Sequence, residues 1–555
     1  MLRGYRWTWL RGDLLAGVTV AAYLIPQVMA YAQVAGLPVA VGLWAVLPAL
    51  VAYALLGSSS SLSMGPESTT ALMTAVAIGP LAAGHSARYA QLATSLALLV
   101  GVFSVAARLL RLGFVADLLS RPVLVGYLAG VGLTMIAGQL SRVTGVPVAG
   151  RTFAAEVGSF ATHLGTAAPT TLVLAAAVLV FLFLVAWRWP QLPGPLLAIL
   201  LATVVVAAAG LAVHGVSVVG PIPAGLPAPQ LPDVHPADLQ ELLLPAFSVL
   251  VVGFSDDVLT ARSFAKPAEA VRANQELLAL GAANVGASLL HGFPVSSSAS
   301  RTAIAVATGS RSQVYSVAAA GSVLVAVFFL RPVLARFPTA ALGAIVIYAA
   351  IRLIDVAAFR RLSAFRRGEL VIALSACAGV LVLNILYGVL LAVAISVADL
   401  LVRVARPHDA ALGQVPGLAG MHDVDDYPTA ETIPGLVVYR YDAPLFFANA
   451  EDFRRRALAT ADRYAPVRWF VLNVEANVEV DFTALEAVDT VRRTLEQQGT
   501  IFALARVKQD LLARLDAFGL TGKIGTERLF PTLPTAVQAY ERWARQHPPG
   551  PPPSG

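Results

Sequence analysis

The sequence predicts a polytopic α-helical membrane protein that ends in a small α/β domain. Of the 555 residues 57% are hydrophobic and only 13% are charged, whereas about 25% of residues are charged in an average soluble protein. The charges are also unevenly distributed, because 170–218 contains one charged residue, Arg188, and 451–545 is dense with them. These observations predict a long membrane part that is followed by a soluble domain.

Apolar stretches of spanning or near-spanning length divide the membrane part into fourteen segments. They cover 13–34, 40–57, 66–80, 90–111, 122–141, 169–188, 194–213, 240–259, 274–292, 299–308, 314–332, 339–354, 369–386 and 387–404. The third segment of each half, 66–80 or 299–308, is short. Because each half has an odd number of segments, the second half is expected to enter the membrane upside down, which gives a 7+7 inverted repeat.

Basic residues cluster at the ends of segments rather than on a nucleic-acid-binding face. Arg3, Arg6 and Arg11 precede the first segment, and a second group separates the twelfth from the thirteenth: Arg360, Arg361, Arg366 and Arg367. This pattern predicts a multi-pass protein of the inner (plasma) membrane with its N-terminus and its C-terminal domain in the cytoplasm. The run from Leu14 to Val34 is too long for the apolar region of a signal peptide. We expect membrane lipid, but no nucleic acid, as a partner.

A soluble pattern follows the last segment. Strands are expected over 436–441, 467–474 and 501–505, and helices over 450–464, 481–498 and 508–518. Strands that alternate with helices indicate a small α/β domain. The sequence therefore predicts a membrane domain over 1–405, a polar linker over 406–434, the α/β domain over 435–547 and a disordered Pro- and Gly-rich tail over 548–555.

The two short segments indicate a binding site. Each begins with polar residues at membrane depth, Met64–Thr70 in the first half and Ser296–Thr302 in the second. Interrupted helices are tolerated there where they are buried in protein or line a cavity. Helix N-termini carry partial positive charge and free N–H groups, so two that face each other make an anion site. Hydroxyls of Ser298 and Ser300 would add donors there, or act only as N-caps.

Arg301 adds a positive charge to the start of the tenth segment. An arginine at membrane depth is costly and is a functional hypothesis by default. The alternative is a structural pairing with a carboxylate such as Glu67 or Asp256. Gln27 and Tyr31, one turn apart on the first segment, share a face and need polar partners. A substrate cavity or an interhelical hydrogen bond would provide them.

Three intramembrane acids suggest coupling to a cation. Glu67 lies in the first turn of the third segment, where its negative charge would compete with a bound anion unless it is protonated. Asp256 and Asp257 point about 100° apart on a helix, so one of them is expected to face the site. A carboxylate in a medium of low dielectric favours its neutral form, which suits a proton relay. Alternatively, Asp256 and Thr260 would hold Na⁺, or one Asp would cap a helix or pair with Arg262.

Together these motifs resemble the SulP family of anion permeases. The resemblance rests on the opening pattern Pro26–Ala32, Gly36-Leu37-Pro38, Gly42-Leu43-Trp44 and Gly57-Ser58-Ser59, and on Gly65-Pro66, Gly253–Asp256 and Ser298–Arg301 in the third, eighth and tenth helices. The soluble tail is similar to a STAS domain, with Asp481-Phe482-Thr483 at its helix-opening loop. Two departures are Val41 and Trp44, where the family often has tyrosines, and two acids in the eighth helix instead of one.

The resemblance implies a core domain, formed by the first four and the eighth to eleventh helices, that moves in an elevator-like manner against a gate domain of the remaining six. It also implies a homodimer. The expected substrate-binding residues are Gln27, Tyr31, Pro66, Glu67, Ser68, Ala299, Ser300 and Arg301. Those expected for the coupling ion are Glu67, Asp256, Asp257 and Thr260.

The sequence and the resemblance together predict a secondary active anion transporter, first of all for proton-coupled sulfate uptake. The alternatives are a bicarbonate or dicarboxylate symporter, coupled to protons or to Na⁺, and an uncoupled channel or exchanger. A nucleobase permease shares the implied fold but has little use for Arg301. The chain lacks the motifs of common enzymes, and its single cysteine, Cys377, excludes a cysteine metal site. We expect no cofactor, metal or catalytic residue.

Overall fold

The computed structural model describes residues 5–548 except 83, 118–119, 149, 151, 190–191, 214, 234–235 and 267–268. The chain forms two compact units, Met1–Ser396 and Val397–Gly555, whose boundary falls within the last membrane helix. The predicted disordered tail lies outside the described residues, apart from Pro548, and so does Arg3.

Each of the fourteen predicted segments forms a helix. These helices are α1 (Leu10–Val34), α2 (Val39–Leu56), α3 (Ser68–Ile78), α4 (Ser86–Leu109), α5 (Arg121–Thr144), α7 (Pro169–Arg188), α8 (Gly194–Ala208), α9 (Pro236–Ser263), α10 (Ala273–Leu289), α11 (Ala299–Ala307), α12 (Val314–Phe329), α14 (Thr339–Leu353), α16 (Arg367–Leu383) and α17 (Ile385–Ala405). The short helices α6 (Phe153–Thr162), α13 (Arg331–Leu334) and α15 (Val356–Phe365) are additional. In the described part, eight helices are long and apolar enough to cross a membrane.

Turn chemistry sets several helix ends. α5 begins after an extended Ser120 with Pro122 in its first turn, and it ends at Gly145, whose φ of 76° is left-handed. Proline suits a first turn because its missing N–H has no partner there, and glycine adopts positive φ without steric cost. Inside α1, by contrast, Pro26 removes one hydrogen bond of the helix and places a weak point one residue before Gln27.

The helices of the membrane unit pack in two groups. α1, α2, α4, α9, α10 and α12 form one group, in which α4 and α2 pack on α10 and α1 packs on α12. In the other group α5 packs on α14 and α16, and α7 packs on α14 and α8. α5 and α16 approach so closely that a Cβ atom at Gly126 would lie 1.8 Å from the carbonyl oxygen of Ala373. A side chain cannot fit between these two backbones, so the second group is tightly joined.

The two halves of the membrane unit use corresponding contacts, as an inverted repeat requires. The carboxylate of Asp13, in the first turn of α1, accepts hydrogen bonds from the N–H of Arg311 (2.6 Å) and the Oγ of Ser312 (2.6 Å), just before α12. Asp238, in the first turn of α9, accepts from Arg88 in the first turn of α4 at 2.7 Å. The predicted 7+7 inverted repeat is therefore confirmed.

The two short helices α3 and α11 start beside each other. Their preceding residues form strands β1 (Met64–Gly65) and β2 (Ser296–Ser297), which pair antiparallel with Met64 opposite Ser297 and Gly65 opposite Ser296. The N–H of Ser298 also donates to the carbonyl of Ser63 at 2.9 Å. These strands satisfy backbone groups that would otherwise be unpaired in the interior of the unit.

The second unit contains a mixed six-stranded sheet. Its strands are β3 (Asp409–Gln414), β4 (Met421–Asp423), β5 (Leu436–Tyr441), β6 (Trp469–Asn473), β7 (Ile501–Ala505) and β8 (Leu529–Phe530), in the order β4-β3-β5-β6-β7-β8. β5 to β8 are parallel, and β3 is antiparallel to both neighbours. The helices are α18 (Ala450–Arg463), α19 (Phe482–Gln497), α20 (Gln509–Phe518), α21 (Leu520–Ile524) and α22 (Leu533–Gln546). α22 packs on the face that carries Trp469, opposite the core formed with α18 to α21.

The predicted linker 406–434 contains β3 and β4, so the prediction is wrong for these two strands. β3 buries Ala410 and Leu412 against the sheet, and Asp409 accepts a hydrogen bond from the Tyr439 hydroxyl at 2.8 Å. Arg456 also pairs with Asp409 at 2.5 Å. The segment Asp409–Gln414 has no β-branched or aromatic residue, so strand propensity gave no signal for it.

A soluble fragment should therefore begin near Pro407 rather than at Gly435. We expect residues 407–548 to fold alone and to unfold at a clearly higher temperature than residues 435–548, because the shorter fragment exposes the edge of β5. Burial of Leu412 alone is worth roughly 2–5 kcal/mol on the scale of large-to-small core substitutions. Circular dichroism melts of both fragments test this, with Leu412→Ala expected in between and Gln414→Ala unchanged. Equal melting temperatures for the two fragments would contradict it.

Candidate functional site

A cavity of about 390 Å³ lies where α1, α3, α9 and α11 meet α5 and α14. Its lining combines the polar groups of the two helix starts with further polar side chains on α1, α9 and α14 and with apolar residues. The lining residues are Tyr23, Gln27, Tyr31, Glu67, Ser68, Thr69, Leu128, Asp256, Phe264, Ser297, Ser298, Ala299, Ser300, Ala303, Tyr348, Ala349, Arg352 and Leu353. We call this space the site cavity.

Most of the predicted site residues line the site cavity. Gln27, Tyr31, Glu67, Ser68, Ala299 and Ser300 do so, together with Asp256. Pro66, Arg301, Asp257 and Thr260 are not among its lining residues. The structure thus brings the two helix starts to one cavity but keeps the predicted arginine behind its wall.

The N-terminus of α3 is already occupied by a carboxylate of the protein. Glu67 is the N-cap residue, and its Oε2 accepts the backbone N–H of Thr69 at 2.7 Å. Its Oε1 accepts the hydroxyl of Ser68 at 2.5 Å. A capping carboxylate neutralises the partial positive charge of the helix start. An anion that approached α3 would therefore meet a negative charge.

The N-terminus of α11 is different, because no side chain caps it. Its N-cap residue, Ser298, makes no capping hydrogen bond, and its Oγ lies 3.1 Å from the Oγ of Ser300. The first N–H groups of a helix have no partner within the helix. Both serines line the site cavity, so the start of α11 offers it free N–H groups and two hydroxyls. This is the better anion position of the two.

Arg301 is fully buried and holds three elements together. Its Nη1 donates to the Oε1 of Gln27 at 3.1 Å and to the carbonyl of Pro66 at 3.0 Å, and its Nε donates to the Oγ of Ser63 at 3.4 Å. These acceptors are neutral, so the alternative of a pairing with Glu67 or Asp256 is not what the structure shows. The Nη2 atom is buried and has no hydrogen-bond partner among the residues that the structure describes. The guanidinium joins α1, β1 and α11 behind the site cavity.

The effect of Arg301 reaches the cavity through Gln27. The Nε2 of Gln27 donates to the hydroxyl of Tyr31 at 3.0 Å, and both residues line the cavity. Since the Tyr31 oxygen accepts this bond, its own proton is free to be donated into the cavity. A chain of hydrogen bonds polarises its members in one direction. Arg301, Gln27 and Tyr31 thus form a chain of hydrogen bonds that ends at a hydroxyl in the site cavity, although the arginine itself does not line the cavity.

The two adjacent acids of α9 have different surroundings. Asp256 is half-buried and lines the site cavity, and its Oδ2 lies 3.5 Å from the Oγ of Ser297. Asp257 is fully buried and accepts the N–H of Ser297 at 2.6 Å, behind β2. Of the two acids, Asp256 is therefore the one that faces the site cavity. Thr260 is buried outside the cavity lining, so Asp256 and Thr260 do not share it.

Sequence reasoning missed three polar lining residues outside the two helix starts: Tyr23, Tyr348 and Arg352. Tyr23 lies one turn before Gln27, and this spacing was a usable signal. Tyr348 and Arg352 are also one turn apart, at the C-terminal end of α14. The sequence did not indicate them as site residues, because Arg352 looks like an ordinary basic residue at the end of a membrane segment. Only the fold shows that α14 runs past the starts of α3 and α11.

Comparison with known proteins decides the family. Residues 10–376 match the sulfate permease family, and residues 427–536 match the STAS domain. The chain belongs to the sulfate permease family. It is therefore a multi-pass membrane protein of a family of transporters, with a C-terminal STAS domain, and not an enzyme. Both parts of the resemblance predicted from the sequence are confirmed.

Several relatives cover nearly the whole chain. A protein of Mycobacterium tuberculosis named "probable sulfate transporter" is 58% identical over 97% of this chain and 97% of its own length. A "high affinity sulfate transporter" of Stylosanthes hamata is 26% identical over 96% of this chain and 83% of its own. The relatives therefore include bacterial and plant proteins that match this chain over most of their length.

Solved structures share the fold. The murine solute carrier 26 family member A9 anion transporter, in the inward-facing state, matches with a TM-score of 0.89 at 23% identity over 98% of this chain and 93% of its own. The transmembrane domain of a cyanobacterial bicarbonate transporter matches with a TM-score of 0.60 at 23% identity over 71% of this chain and 98% of its own. At this level of identity the likeness concerns the fold.

We predict that Arg301 acts on anion affinity through Gln27. Arg301→Ala should weaken the binding of a small oxyanion about ten- to a hundredfold, since charge-assisted hydrogen bonds are worth roughly 1.5–3 kcal/mol. Adding Gln27→Ala to that variant should weaken binding little further, because coupled residues are not additive. Titration calorimetry on the purified variants measures this. A full, additive loss in the double variant would show that the two residues act independently.

Proposed function

We propose that this chain is a secondary active transporter that takes up sulfate together with protons. The observation that carries the proposal is the asymmetry of the two helix starts in the site cavity. The start of α11 offers uncapped N–H groups with Ser298 and Ser300, whereas the start of α3 holds the carboxylate of Glu67. An anion site and a titratable carboxylate thus share one small space.

Sulfate is proposed as the substrate because of the family and because of the hydrogen-bond donors in the site cavity. The relative that is 58% identical carries the name of a sulfate transporter. Sulfate has four oxygens that accept hydrogen bonds and no proton at neutral pH, and the site offers N–H groups, the two serine hydroxyls and the Tyr31 hydroxyl. Bicarbonate and dicarboxylates remain the alternative substrates. The bicarbonate transporter domain with the same fold supports bicarbonate as one of these alternatives.

Proton coupling follows from the acids of the site cavity. Glu67 and Asp256 both line it, so a divalent anion would enter beside two carboxylates. Protonation removes this repulsion, because a neutral carboxyl group carries no charge that opposes the anion. Inward movement of one negative charge against a membrane potential costs about 2.3 kcal/mol per 100 mV, which co-transported protons offset. The position of Thr260 outside the cavity argues against a Na⁺ site formed with Asp256.

The two helix groups support an elevator-like movement. The site residues lie on α1, α3, α9 and α11, in the predicted core domain, whereas Leu128 and Tyr348 of the opposite wall lie on α5 and α14 of the predicted gate domain. We propose that the core carries the anion past the gate. We also propose that the protein is a homodimer in the inner membrane, with its N-terminus and STAS domain in the cytoplasm, as the basic flanks of the segments indicate.

Acidic external pH should accelerate uptake of labelled sulfate into proteoliposomes. Glu67→Gln should retain anion binding but flatten this pH dependence, because glutamine keeps a hydrogen-bonding side chain at the start of α3 without a titratable charge. Initial rates at several external pH values, with and without a Na⁺ gradient, are the measurement. Uptake that ignores a pH step but follows a Na⁺ gradient would overturn proton coupling, and uptake that follows neither would favour a channel or exchanger.

The adjacent pair on α9 provides a matched comparison. Asp256→Asn should change the pH dependence of uptake but leave thermal stability close to that of the wild type, because Asp256 is half-buried in the cavity wall. Asp257→Asn should instead lower the melting temperature, since Asp257 is fully buried and accepts the N–H of Ser297. Fluorescence-detected thermal unfolding and the uptake assay separate the two effects. If Asp257→Asn changes the pH dependence of uptake and Asp256→Asn lowers the melting temperature, Asp257 is the residue that couples uptake to protons.

A further inference from the structure

A second cavity lies beside the site cavity. It has a volume of about 510 Å³ and is lined mainly by apolar residues of α7, α8 and α11, including Leu182, Phe183 and Trp187. Five residues line both spaces: Tyr23, Ser300, Ala303, Tyr348 and Arg352. We call this shared border the rim.

Arg352 is the one cationic residue in the lining of either cavity, as far as the described residues go. The described carboxylates of the two linings are Glu67 and Asp256, both in the site cavity. Arg301 lines neither space. Among the described lining residues, the positive charge that an entering anion meets at short range is therefore that of Arg352.

The guanidinium of Arg352 has neutral partners in the described part of the chain. Its Nη1 donates to the Tyr348 hydroxyl at 3.1 Å, and the group lies over the Tyr348 ring at 5.7 Å from the centroid. The Tyr348 ring is fixed in turn by an edge-to-face contact with Phe183, at 5.0 Å between centroids. Most N–H groups of Arg352 are thus left for another acceptor, on a side chain whose direction is set by a buried tyrosine.

We propose that Arg352 and Tyr348 form a second anion position at the rim, which an oxyanion occupies before it reaches the start of α11. The planar fork of an arginine donates two parallel hydrogen bonds to an oxyanion. The Tyr348 hydroxyl, which accepts from Arg352, has its own proton left to donate. Ser300 also lines both cavities and belongs to the α11 site, so the two positions are adjacent. The ligand class is a small oxyanion, and a divalent one is favoured by charge.

The rim position deepens the proposed function and rests on it. Arg352 and Tyr348 belong to α14, whereas Ser300 belongs to α11. The rim position therefore lies on the gate side of the cavity and the α11 position on the core side. Arg352 would act as a selectivity residue for the anion, and Arg301 as a positioning residue.

The test is labelled sulfate uptake by the full chain in proteoliposomes, with KM and maximal rate measured separately. Arg352→Gln should raise KM for sulfate about ten- to a hundredfold, and Arg352→Lys should recover only part of this loss because it restores the charge without the fork. Arg352→Gln should raise the KM for a monovalent anion such as bicarbonate by a smaller factor than the KM for sulfate. Arg361→Gln is the matched control, since Arg361 is an exposed arginine on the neighbouring helix that lines neither cavity, and its KM should stay within twofold of the wild type.

Tyr348→Phe tests the same position without removing a charge, and it keeps the contact with Phe183. It should raise KM for sulfate about threefold to tenfold, the usual effect of one hydrogen bond. An unchanged KM in both Arg352→Gln and Tyr348→Phe, with normal wild-type uptake, would overturn the rim position and leave the proposed function intact. If the wild type takes up no sulfate, the proposed function fails instead. The stabilisation of each variant by added sulfate, measured by thermal unfolding, then still decides whether Arg352 binds an oxyanion.

Discussion

The membrane unit depends on the antiparallel pairing of β1 with β2. Two chain segments more than two hundred residues apart leave helical structure in the interior of the unit, and their backbone groups need partners there. The pairing of Met64 with Ser297 and of Gly65 with Ser296 provides these partners. It also fixes where α3 and α11 begin. The site cavity, the capping by Glu67 and the place of Arg301 all follow from those two helix starts.

A buried arginine without a carboxylate partner is expensive, and its contacts explain why it is tolerated. Arg301 donates to the side-chain amide of Gln27 on α1, and to the hydroxyl of Ser63 and the backbone carbonyl of Pro66, which flank β1. Removal of the side chain would leave these acceptors unpaired in a region of low dielectric. The positive charge of Arg301 is thus kept close to the helix starts but outside the lining of the site cavity. Arg301 is therefore not a contact counter-ion in this cavity, whose cationic lining residue, among those described, is Arg352.

Much of the fold was predictable because hydrophobic periods and turn residues are local properties. All fourteen segments, the short third helix of each half and the strands around 436–441 and 501–505 follow from them. β3 was not predictable, since Asp409–Gln414 consists of small and polar residues whose strand form depends on the neighbouring β5. In the site, polar residues at membrane depth identified Gln27, Tyr31 and Glu67. Arg352 was not predicted, because its place in the lining depends on where α14 passes. Arg301 was predicted to contact the anion but lies behind the cavity lining, because sequence spacing does not show which side of a helix start faces the cavity.

The capped start of α3 has a consequence for turnover. A carrier must release its cargo as readily as it captures it, so a very deep free-energy well at the binding site would slow each cycle. With Glu67 already seated on one helix end, the cavity never presents two vacant positive ends at once. In the proposed proton-coupled cycle, the resident carboxylate keeps the well shallow, and its protonation state adjusts that depth between loading and unloading. The same residue that weakens capture in the resting protein thereby speeds departure of the cargo.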